Sequence, residues 1–145
     1  IEDAEGKKLA WANSNWTHLD ISTGLPARLT PADTDNYVLG EKMEMDYAPR
    51  KIKLPENMIA QEAFTVQKHH LDTNHHVNNC QYVCMAEDFL PESFKIYQMR
   101  AEYKMQAKLG DVICPKVKTE TDKVVVSLDN IEGKAYAILE FLKNK

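Results

Sequence analysis

Asp72-Thr73-Asn74-His75-His76-Val77-Asn78-Asn79, running on through Cys80-Gln81-Tyr82, is the stretch whose reading decides the fold. A carboxylate, an amide and an imidazole stand at alternate positions 72, 74 and 76. Immediately downstream, Asn79, Tyr82, Val83, Ala86, Phe89 and Leu90 recur at helical spacing, and the stripe stops at Pro91. Asn74 is a good N-cap, so the pattern predicts one helix of about three to four turns. Val77, Cys80, Cys84 and Met85 add apolar groups off the stripe. The helix is therefore expected to be apolar around much of its circumference, as if something wraps it.

Outward from the helix, the chain reads as strands. Glu62 to Leu71 places Phe64 and Val66 on one face with polar groups between them. Ser93–Ala107, Asp111–Thr121, Lys123–Asp129 and Lys134–Lys143 follow, with turns at Gly110-Asp111 and Ile131-Glu132-Gly133. In the last run both alternating faces are largely apolar, which predicts a central strand covered on both sides. A strand, a long apolar helix and four strands give an α+β fold, an antiparallel sheet curled around one long central helix. That arrangement is the hot-dog fold.

Upstream, Lys8 to Ile21 holds both tryptophans, Trp11 and Trp16, in partial alternation and predicts one long strand or two shorter ones. Ser22-Thr23-Gly24-Leu25-Pro26 is a turn, and Thr30 before Pro31 opens a short helical turn. Glu41 to Pro55 mixes charged and apolar residues without a period and reads as an extended connector. A boundary near Pro55 to Ile59 divides the chain into residues 1–57 and 58–145.

With 145 residues, 43% hydrophobic and 28% charged, the chain can bury a substantial core. No stretch approaches the roughly 20 apolar residues of a membrane span, and Ile1 to Gly6 does not read as a signal peptide. The net charge of −4 and dispersed basic residues argue against a nucleic-acid partner. Three cysteines, Cys80, Cys84 and Cys114, without a CxxC pair fit thiols in a reducing, cytoplasmic setting. Cys80 and Cys84 share a helical face, where small apolar packing is the usual role.

Thioester hydrolysis builds negative charge on a carbonyl oxygen, which N–H groups at a helix start can stabilise. It also needs a group that activates water or attacks the carbonyl, and Asp72, Asn74 and His76 are the candidates. Taken alone, Asp and Asn before a helix are common caps. Asn78 and Asn79 are read as fixing the helix start, and Tyr82 as packing with its hydroxyl bonded. His69, His70, His75 and His76 with Asp72 form a cluster of zinc-ligand types, but adjacent histidines on a strand point to opposite faces, so no metal is expected.

The pattern Asp-x-Asn-x-His-Val-Asn-Asn-x-x-Tyr as a whole resembles the signature of acyl-ACP thioesterases of plants and bacteria. Trp16-Thr17-His18-Leu19-Asp20 and Thr23-Gly24-Leu25-Pro26-Ala27-Arg28-Leu29 look like the end of that family's first hot-dog domain. The resemblance implies that residues 1–57 are the closing strands of a first domain plus connector, and that 58–145 form a second hot-dog domain carrying the catalytic turn. It implies catalytic roles for Asp72, Asn74 and His76, no cofactor, and an acyl carrier protein bearing a fatty acyl chain as partner. Asn74 would place substrate or water, and His76 would act as base or orienting group. Plant members use a glutamate followed by a cysteine after the helix, where Gln106 and Ala107 stand here. Glutamine is no base and alanine no nucleophile, so Asp72 is favoured as base or nucleophile, with Gln106 left to hold a water. The first domain's helix is absent from this sequence, so exposed edges and tryptophans should drive association, most simply as a homodimer. Two other readings stand beside this one: a non-catalytic module binding acyl chains or carrier, and an acyl-CoA thioesterase.

Overall fold

The computed structural model describes residues 1–38 and 40–143. It divides into two compact units, Ile1–Ala48 and Pro49–Lys145.

The first unit has little regular structure. A single helical turn, α1 (Pro31–Thr34), starts at Thr30, whose N–H and hydroxyl both donate to the Asp33 carboxylate. Those bonds hold the Asp33 carboxyl below its usual range. The long strand expected over Lys8–Ile21 is not formed. Among the described residues of this unit only the isolated bridges Glu2 to Lys8 and Leu19 to Pro26 occur, and Trp16 is 86% exposed. The physical reason is that a strand is stable only when another strand takes its N–H and C=O groups, and among the described residues of this unit none does so over any length.

The second unit is a six-stranded antiparallel sheet with one helix. Its elements are β1 (Ile59–Ala60), β2 (Phe64–Thr65), α2 (Asn79–Glu87), β3 (Ile96–Tyr103), β4 (Val112–Thr119), β5 (Lys123–Asp129) and β6 (Ala135–Lys143). Their spatial order is β1-β4-β5-β6-β3, with β2 also paired to β4. Every pairing is antiparallel. The interior position of β6, and its run of buried residues Tyr136 to Leu139, agree with a strand covered on both faces. Alternation then decides the two layers. Val124, Val126 and Leu128 of β5, with Leu139 and Phe141 of β6, join the core beneath Tyr82, Met85 and Ala86 of α2. Burying each large side chain of this set contributes roughly 1.5–3 kcal/mol.

On the opposite face Val125 and Ile138 are covered by Ile52 and Met58. Residues 49–54 form no helix or strand, yet they are anchored. Arg100 donates to the Pro49 carbonyl, and the Ile52 N–H donates to Glu102 Oε2 at 3.0 Å. Burial pushes the Glu102 carboxyl up, but the Ile52 N–H and Lys104 outweigh it and hold Glu102 below the ordinary range. This stretch, read from sequence as a connector, completes the core of the sheet unit.

The helix differs from expectation in length and in wrapping. It has nine residues and begins at Asn79 behind an Asn78 cap, whose side chain accepts the Cys80 N–H. Only one side is buried, while Cys80 and Cys84 are exposed free thiols. The two thiols share a face of α2 that is exposed rather than packed as expected, and desolvation and then the neighbouring Cys80 shift Cys84 up.

Candidate active site

The turn before α2 is a miniature hairpin. His70 C=O accepts the Asn78 N–H at 3.0 Å, Leu71 bridges Val77, and the Asp72 N–H donates to His76 C=O at 2.8 Å. Three opposed pairs thus form a neck, and Thr73, Asn74 and His75 form the tip. Three-residue hairpin tips commonly end on a residue in the left-handed region. His75 occupies it with φ of 60°, a conformation that glycine adopts at lower cost. The hairpin displaces the expected helix start: Asn74 sits at the tip, and Asn78 takes over as the cap.

Asp72 organises the tip. Its Oδ1 accepts the Asn74 N–H at 2.8 Å and the His76 N–H at 3.3 Å. Its second oxygen accepts no hydrogen bond among the described residues. Asp72 and His76 are both half-buried, and Asn74 is exposed. Directly opposed residues of a hairpin project on the same side, with Cβ atoms about 4.5–5.5 Å apart. The neck therefore presents Asp72 and His76 together, without a hydrogen bond between their side chains.

The hairpin is fastened to the sheet unit through Ala107. The Val77 N–H donates to the Ala107 C=O at 2.9 Å, and the Ala107 N–H donates to the Tyr82 hydroxyl at 2.9 Å. Tyr82 is buried with its hydroxyl bonded, as its sequence context indicated, and burial pushes its phenol up. Gln106 and Ala107 lie beyond the end of β3, in the connector to β4, rather than on the strand. Gln106 is exposed and bonds to none of Asp72, Asn74 or His76.

At the helix start, the Cys80 N–H is occupied by the Asn78 side chain, whereas the Asn79 N–H has no acceptor among the described residues. It is the donor available to a developing oxyanion. Tyr103 reaches the same end, its hydroxyl donating to the Asn79 carbonyl at 3.3 Å. Sequence reasoning missed the Ala107 peptide, and it weighed His70 only as a zinc-ligand type and not as the cap of the turn. Their roles run through the backbone and through contacts distant in sequence. Among the described residues, no three His, Cys, Asp or Glu side chains converge as a metal-ligand set. His69 and His70 share a single 3₁₀ turn, Lys68–His70, instead of a strand.

A short antiparallel sheet with one helix across it, and a hairpin of polar groups at the helix start, defines the hot-dog class. The model of the acyl-ACP thioesterase C-terminal domain matches residues 53–140. This chain belongs to the acyl-ACP thioesterase family. Among solved structures, it is similar to an acyl-ACP thioesterase from Bacteroides thetaiotaomicron, with a TM-score of 0.76 at 18% identity, covering 87% of this chain and 53% of that one. It is also similar to a protein described as an oleoyl thioesterase from Lactobacillus plantarum, with a TM-score of 0.69 at 20% identity, covering 97% and 58%. A Staphylococcus aureus protein solved in complex with CoA gives 0.53 at 17% identity over 61% of this chain and 76% of that one. These likenesses show the fold. The chain spans a little over half the length of the first two. No curated protein sequence matches it.

Proposed function

We propose that the protein hydrolyses the thioester of a fatty acyl group on acyl carrier protein, giving the free fatty acid and the carrier thiol, and so ends chain elongation. The observation that carries this reading is the half-anchored Asp72 carboxylate, presented opposite His76 in a chain of this family. Anchoring one oxygen to two N–H groups fixes the carboxylate without consuming it. The free oxygen takes a proton from water as that water attacks the carbonyl carbon, or attacks the carbon itself to form an acyl–Asp72 anhydride that a water then cleaves to the free acid. The Asn79 N–H stabilises the oxyanion, the carbon–sulfur bond breaks, and the departing sulfur leaves as the carrier thiol. His76 orients or relays the proton, Asn74 at the exposed tip positions the substrate or water, and Gln106 holds a water from the connector.

The carrier's acidic surface would dock on exposed Arg50, Lys51 and Lys53. No helix among the described residues is long and apolar enough to cross a membrane; the proposed reaction, on a carrier-borne substrate, is read as cytoplasmic. The test is hydrolysis of matched acyl-ACP and acyl-CoA by the wild type, Asp72→Asn and His76→Ala. Both variants should lose roughly 10²-fold or more in kcat on acyl-ACP. Wild-type activity retained by Asp72→Asn would overturn the site, and preference for acyl-CoA would replace the carrier.

A further inference from the structure

The hairpin neck rests on a histidine that the proposed reaction does not use. The Gln67 N–H donates to His70 Nδ1 at 3.0 Å, while the His70 N–H returns a bond to Gln67 C=O at 3.0 Å. The same residue's carbonyl receives the Asn78 N–H, and Asn78 caps α2. One residue thus closes the 3₁₀ turn, the first rung of the neck and, through Asn78, the helix start. An Nδ1 that accepts a hydrogen bond carries no proton, so the ring is the neutral Nε2–H tautomer. An imidazolium has two donors and no acceptor, and it cannot keep this bond.

We infer that His70 is a positioning residue for the thioesterase site, its neutral ring holding the neck that aligns Asp72 with His76 and its protonation releasing that hold. This inference rests on the reading of the hairpin as the reacting site. The titratable groups on the segments bonded to it are Lys68 and His69 on its own turn, and Asp72 and His76 in the hairpin. Lys108 and Asp111 lie in the turn that bonds Val66. Partial burial, and then the neighbouring His69 ring at 4.1 Å, lower the His70 pKa below its ordinary value. Both favour the neutral form that the geometry requires. Because the unfolded chain then binds the proton first, the contribution is intact at neutral pH and declines as pH falls below the ordinary histidine value.

The experiment compares the wild type with His70→Gln, which offers a non-titrating acceptor at the same capping position, and His70→Phe, which offers none. Ring-nitrogen NMR should show the Nε2–H tautomer at pH 7.5. The Gln67 and Asn78 amide signals should move with the midpoint of the His70 ring. Across that midpoint kcat should drop roughly tenfold while KM changes far less, as misalignment rather than lost binding predicts. His70→Gln should remove this step, and His70→Phe should show the low kcat at every pH. An Nδ1–H tautomer, or the same amide transition persisting in His70→Gln, would overturn the role of His70. Full activity in Asp72→Asn would instead overturn the site, while the amide titration would still report whether His70 holds the neck.

Discussion

The Tyr82 hydroxyl accepts the Ala107 N–H at 2.9 Å inside the core, twenty-five residues apart in sequence. The Ala107 carbonyl receives the Val77 N–H, so a single peptide unit couples the buried face of α2 to the hairpin. Removing the phenol oxygen leaves a buried N–H unpaired, at a cost of about 1–3 kcal/mol. Tyr82→Phe should therefore shift the urea midpoint to lower concentration with an unchanged m-value. A variant as stable as the wild type would show that water or a rearranged loop replaces the bond.

Stability should also fall steeply in alkali. Burial raises the phenols of Tyr82 and Tyr136, the latter helped by the Asp111 charge. The Asp129 carboxylate, in hydrogen-bonding contact 2.9 Å away, raises Lys116. In each case the folded state keeps a proton that the unfolded state has lost. The slope of unfolding free energy with pH is therefore negative above about pH 10. Urea unfolding at pH 7.5, 9.0 and 10.5 should show this loss. The Tyr82→Phe variant should show a shallower slope even though its stability starts lower.

Residues 49–54 should resist proteolysis in part because Glu102 holds them. Arg50, Lys51 and Lys53 are exposed trypsin sites on a segment fixed by Ile52 in the core and by its N–H on Glu102. Glu102→Ala should accelerate tryptic cleavage at these three positions several-fold relative to exposed sites elsewhere, read by intact-mass spectrometry. The folded pKa of Glu102 lies below its unfolded value, so the wild-type segment should keep its protection at neutral pH and lose it as pH falls through the acid range.

Among the described residues the outer edge of β3 is unpaired, and Ile96, Tyr97, Met99 and Tyr103 along it are exposed. An eight-residue edge strand with this much apolar surface favours pairing with another copy. Sedimentation at micromolar concentration should give a dimer, which Met99→Lys weakens. A strictly monomeric wild type would count against the association expected from the sequence.

How much was legible from sequence follows from how local each determinant is. The valines of β5, the doubly apolar β6 and the glycine turns at Gly110 and Gly133, both at positive φ, carry their information within a few residues. The helix start does not. Asn74 and Asn78 are equally good caps, and the choice falls to Asn78 because Val77 bonds to Ala107 and Asp72 claims the Asn74 N–H. Likewise, Glu62–Leu71 looks like one strand but is only Phe64–Thr65 followed by a 3₁₀ turn, since His70 captures the Gln67 N–H that a ladder would have used. The candidate residues Asp72 and His76 were visible in the sequence. Their pairing across a hairpin neck was not, and neither was the exposed, unattached position of Gln106.

The hairpin also partitions its own mutational freedom. Its neck is held by main-chain bonds together with the His70 ring that closes the turn before it, and Thr73, Asn74 and His75 at the tip are exposed. Asp72 differs from these tip residues, because the same carboxylate folds the tip and, in the proposed reaction, acts on the substrate. Thr73, with neither a proposed role nor a left-handed backbone, is the tip position a lineage could vary at little structural cost. Replacing Asp72 would forfeit the architecture of the tip and, on the proposed mechanism, reactivity in one step, so that position is entrenched while Thr73 is free to drift.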